Sequence, residues 1–121
     1  DAQEIEAFAA ELHDRFGAVP IEVKNLLAIV VIKALCRAAG IEKLDAGPKG
    51  AVIAFHDEKF ANPEGLVAYI TGNAGKVSLR PDHRLVVRHS WANPARRLDG
   101  AHALVRALAA IAGQGGGAVF T

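Results

Sequence analysis

Apolar residues Ile5, Phe8, Leu12 and Phe16 recur at helical spacing between Gln3 and Phe16, with Ala9 among them and Glu4, Glu11 and Asp14 off the stripe. The pattern predicts an amphipathic helix that buries Leu12 and Phe16 and stops at Gly17. Pro20 then stands where a first helical residue tolerates a missing N–H, and Glu22 falls in the positive first turn, so a second helix is expected to about Ala39. Residues 26–35 are apolar nearly all round, which predicts a central helix covered on several sides, with Gly40 as its stop.

Beyond Gly40 the period changes. Residues 41–44 are too short to assign by period, 51–55 form a β-rich apolar run, and Asp45 to Gly50 is turn chemistry, so a β-hairpin is expected. Asn62-Pro63 reads as a cap and first helical residue, opening a short helix through Leu66, Val67 and Ile70 that Gly72-Asn73 ends. Residues 76–79 and 84–89 flank Pro81-Asp82 as a second hairpin. Asn93-Pro94 repeats the cap signal, and Leu98, Ala101, Val105, Leu108 and Ala112 trace one face of a final helix. The outline is ααββαββα, a single α+β domain over residues 1–113 with two hairpins packed on helices. Residues 114–121, with three consecutive glycines, are expected to form a flexible tail.

The 121 residues suit one domain, and a 51% hydrophobic composition excludes disorder because the chain can bury enough surface to fold. A single cysteine, Cys36, closes no internal disulfide and points to a reducing, cytoplasmic setting. The longest apolar run, 26–36, contains Lys33 and falls short of the ~20 residues that cross a bilayer, and no secretory signal opens the chain. Asp1 in place of methionine points to a piece of a longer chain.

Catalytic patterns are missing from the sequence. Gly72-Asn73-Ala74-Gly75-Lys76-Val77 imitates a phosphate-binding loop, but it is one residue short, lacks Ser or Thr after the lysine, and runs from helix to strand. The histidines His13, His56, His83, His89 and His102 form no HExxH or HxxxH pair, so no metal is expected. Neither Ser78 nor Ser90 lies in a nucleophile elbow, and Cys36 reads as core.

Charge is asymmetric although the whole chain carries only +1. Residues 1–16 hold five acids against Arg15, net −4, whereas residues 76–106 hold seven bases against Asp82 and Asp99, net +5. Such ends suit docking to complementary protein surfaces. A solvated helix face with a Glu11–Arg15 pair also explains the acids. Arg84 and Arg88, near Trp91, are the candidate contacts of an alternative nucleic-acid-binding reading. Period-two patterning of a half-buried hairpin explains them as well, with Trp91 covering the end of the core.

Three ordered stretches carry a family likeness: Glu11-Leu12-His13-Asp14-Arg15-Phe16-Gly17, then Val19-Pro20 leading to Val23 and Asn25-Leu26-Leu27, then residues 43–53. In order and spacing they resemble the C-terminal (TRCF) domain of the bacterial transcription-repair coupling factor, Mfd, from the first helix to about Trp91. Ala18 stands where the family often has proline, and the glycine-rich tail falls outside the likeness.

The resemblance implies a non-catalytic accessory domain at the end of an ATP-dependent DNA translocase that displaces stalled RNA polymerase and recruits nucleotide-excision repair. Such a domain docks on a UvrB-like module of the same protein, hides its UvrA-binding surface and restrains the motor. It needs no cofactor of its own; ATP and magnesium would belong to the motor, and RNA polymerase and DNA to other domains. Glu11 and Asp14, three apart on one helix face, would meet arginines of the UvrB-like module through charge-assisted carboxylate–guanidinium bonds.

Overall fold

The structure, a computed structural model, describes residues 1–118; residues 119–121 of the expected tail lie outside the described residues. The element order is α1 (Ala2–Phe16), α2 (Ile21–Ala39), β1 (Ile41–Gly47), β2 (Gly50–Phe55), a 3-10 turn (His56–Glu58), α3 (Pro63–Gly72), β3 (Val77–Leu79), β4 (Leu85–Arg88) and α4 (Pro94–Ala118). The fold is therefore α+β in the expected ααββαββα order. Helix α4 runs on through the start of the glycine-rich stretch for which composition predicts a tail.

Local chemistry sets the helix ends. Asp1 caps α1 by accepting from the Glu4 N–H at 2.9 Å, and Asn62 caps α3 by accepting from the Gly65 N–H at 3.0 Å. Asn93 does the same for α4 through the Arg96 N–H at 2.9 Å. Pro20 is the residue before α2 rather than its first helical residue, a one-position shift in which its carbonyl accepts from Val23 and Lys24. Gly40 ends α2 in the left-handed conformation that glycine adopts without steric cost.

The two hairpins merge into one antiparallel sheet of order β1-β2-β4-β3. Asp45 to Gly47, expected as turn, belong to β1: Asp45 pairs with Val52 and Gly47 with Gly50, leaving Pro48 and Lys49 as the two-residue loop. The join between hairpins depends on Gly50, whose φ of 126° is open to glycine and whose missing Cβ leaves room for the Val87 carbonyl of β4. Neither feature shows in a period count, because both are set by the strand across the ladder.

Alternation along the strands divides the sheet into two faces. Ala51, Ile53, Phe55, Val77, Leu85 and Val87 are buried against the helices, whereas Val52, Ala54 and Val86 are half-buried on the opposite face. Helices α2 and α4 pack on each other and on β1, α3 spans α4 and β3, and α1 lies on the outside of α2. Ile53, Leu85, Val105 and Leu108 are fully buried at the centre. Complete burial of such a side chain contributes about 1.5–3 kcal/mol. Trp91, 5% exposed, covers the end of this core with its indole against Gly100 of α4.

Candidate protein-interaction surface

Helix α1 contributes no fully buried residue. Its Ile5 and Ala9 line a cleft with Leu27, Ala28 and Val31 of α2, and Glu6 forms a 2.6 Å ion pair with Arg106 of α4. That pair joins residues 100 positions apart, so no local pattern could announce it. Arg106 is also 2.9 Å from His102 Nε2.

The surfaces of α1 and α2 depart from expectation. Phe16, the last residue of α1, is 77% exposed rather than buried, and Phe8 is 56% exposed. Leu12 is half-buried. Helix α2 is not covered on several sides: Val31, Ile32, Ala34, Leu35 and Ala39 face the core, while Leu26, Ile29 and Val30 remain exposed at 64%, 42% and 45%. Leu26 lies three and four residues from Ile29 and Val30, so the three form one exposed apolar patch on α2.

Glu11 and Asp14 lie on the solvent side of α1, both exposed. Glu11 holds Arg15 at 3.0 Å, as its i,i+4 spacing predicts, and Asp14 has only the His13 ring at 4.0 Å. At such exposure the Glu11–Arg15 pair is worth well under about 1 kcal/mol, so both carboxylates can exchange partners at little cost. Phe8, three residues before Glu11, places an exposed ring beside the carboxylate. Phe8 and Glu11 are thus neighbours on α1, Asp14 lies one further turn on beside Glu11, and α2 carries an exposed apolar stripe.

Other candidate chemistry is scattered. Gly72 to Lys76 connects the end of α3 to β3 and so meets no helix N-terminus. Among the described residues no three His, Cys, Asp or Glu side chains gather closely enough to hold a metal, and no helix is long and apolar enough to cross a membrane. Burial pushes the Cys36 thiol up from its ordinary pKa, against a smaller opposing pull from Arg37. Burial also raises the Tyr69 phenol. His89 stacks on Trp91 with ring centres 5.7 Å apart, and Ser90 beside it is exposed. An open trough of about 870 Å³ is lined by residues including Pro48, Lys49, Val52, Val86 and Arg88. Arg84 and Arg88 are both exposed.

Fold and surface together define a small two-layer α+β domain whose distinctive chemistry is an exposed apolar and acidic helical face. Residues 1–66 match the model of the TRCF domain family. The chain belongs to that family. It is 41% identical over 83 residues to the transcription-repair-coupling factor of Rickettsia conorii, covering 69% of this chain and 7% of the relative. Likewise, it is 38% identical over 86 residues to that of Rickettsia bellii, 71% of this chain and 8% of the relative. With the Escherichia coli transcription-repair-coupling factor, identity is 36% over 67 residues, 55% of this chain and 6% of the relative. The chain thus spans less than a tenth of these proteins.

Proposed function

We propose that this chain is a non-catalytic, autoinhibitory docking domain of a transcription-repair coupling factor, an ATP-dependent DNA translocase acting in the cytoplasm in nucleotide-excision repair. It packs on the UvrB-like module of the same protein and masks the surface that UvrA binds. Contacts with RNA polymerase, the motor's grip on DNA, and ATP hydrolysis with magnesium belong to other parts of the parent. The observation that carries this reading is the exposed flank of α1, where Phe8 stands one turn from Glu11 and Glu11 one turn from Asp14. An aromatic anchor next to a carboxylate, with a second carboxylate one turn on, suits a partner surface bearing arginines, since a bidentate guanidinium–carboxylate bond adds direction to charge. The TRCF family match over the residues that include α1 supports the parent's identity.

The test is titration calorimetry of this chain against the parent's UvrB-like module, produced separately. Binding is expected, and Glu11→Lys with Asp14→Lys should weaken it at least tenfold while circular dichroism stays unchanged. Absence of binding by the unaltered chain, or equal binding by the double variant, contradicts the reading.

A further inference from the structure

The sheet face turned away from the helices carries a charge pattern that the docking role of α1 does not use. Val77, Leu85 and Val87 point into the core, so alternation places Lys76, Ser78 and Arg80 of one strand, and Arg84, Val86 and Arg88 of the other, on the opposite face. The register sets Ser78 opposite Val86. The Arg88 N–H donates to the Lys76 carbonyl at 2.6 Å and the Arg80 N–H to the Arg84 carbonyl at 2.8 Å, so the ladder continues one pair beyond each end. Two cations therefore stand directly across from two others, at both ends of the ribbon.

Like charges directly opposite on a sheet face destabilise it. Asp82 relieves one member by pairing with Arg80 at 3.0 Å. Among the described residues, Lys76, Arg84 and Arg88 have no carboxylate within ion-pair distance. The fold thus holds a repulsive arrangement that an anion spanning the ribbon would convert into an attractive one.

We propose that this face binds the phosphate backbone of duplex DNA, without reading sequence. The two cation pairs are four residues apart along the strands, about 13 Å. That matches the roughly 12 Å width of the major groove, so each pair can meet one of the phosphate strands that border it. Between the pairs lie Ser78 and Val86, with Val52 of β2 across from Val86, and none of them offers an aromatic anchor for a protein partner or a platform for an unstacked base. Trp91 is buried and already stacked by His89. The contact is electrostatic, and it is independent of the docking role of α1, which lies in the helical layer.

Fluorescence anisotropy with a labelled duplex of about 20 base pairs tests this. With three phosphates neutralised, affinity should fall roughly forty-fold between about 50 and 200 mM salt, a log–log slope near −3. Changing both Arg84→Ala and Arg88→Ala should weaken binding about tenfold at low salt and bring the slope near −1. Lys76→Glu supplies a second reading: it should weaken DNA binding yet raise the unfolding temperature, because a carboxylate then faces Arg88. The proposal is overturned if the duplex does not bind at low salt or if the Arg84, Arg88 variant binds unchanged. Equal affinity for poly-glutamate of matched charge would assign the face to an acidic protein partner and also overturn it.

Discussion

Two glycines and a tryptophan show how single residues hold the sheet to its helices. At Gly50 both the backbone angle and the nearby Val87 carbonyl exclude a side chain. Gly50→Ala should therefore cost about 3 kcal/mol or more in denaturant unfolding, in the range of substitutions that strain special backbone sites. Gly100→Ala would raise helix propensity but push a methyl into the Trp91 indole, whereas Gly113 of the same helix has open space. Opposite signs are expected: Gly113→Ala should stabilise by up to about 1 kcal/mol and Gly100→Ala should destabilise. Thermal melts of the pair check this. The place of Trp91 at the core end was legible in the sequence, since an aromatic after an alternating strand has an apolar surface to cover. The need for Gly50 and Gly100 was not, because each answers to an atom on another element.

At the scale of elements, what periodicity can and cannot tell is clearest in α1 and α2. Helical spacing identifies both helices and their inner residues, but it cannot say whether a second cover exists for an apolar flank. Leu26, Ile29 and Val30 read as core in sequence and stand in solvent in the structure. Leu26→Gln with Val30→Gln should thus change stability by less than about 0.5 kcal/mol each, against about 2–5 kcal/mol for Leu108→Ala at the centre. Chemical denaturation of both variants decides. Similarly, Glu11 and Asp14 could be placed on one face from their spacing, but the exposure of Phe8 one turn before Glu11 could not, because a ring on a helical stripe ordinarily implies burial. The Glu6–Arg106 pair is half-exposed, so Glu6→Gln should cost less than about 1 kcal/mol.

Across the whole molecule, charge is uneven: α1 carries an excess of carboxylates, and the β3–β4 ribbon carries Lys76, Arg84 and Arg88, which have no carboxylate within ion-pair distance among the described residues. A net charge of +1 conceals this, which is why the whole-chain charge predicts little and the local sums predict more. The same global view gives a pH dependence. Burial raises both Cys36 and Tyr69, so the unfolded chain releases these protons first and binds fewer of them than the folded chain. Their contribution is fully present below the unfolded thiol value of about 8.5 and is lost as pH rises through the raised folded values. The unfolding temperature should fall as pH rises above about 8.5, first through the thiol and then through the phenol, and Cys36→Ala should make the first part of the fall shallower. The central claim concerns the parent protein, and charge reversal at Glu11 and Asp14 tests it most directly. In the full-length protein, Glu11→Lys with Asp14→Lys should expose the UvrA-binding surface and raise ATP hydrolysis without RNA polymerase. A well-folded variant that binds UvrA and hydrolyses ATP no better than the unaltered protein would contradict the account.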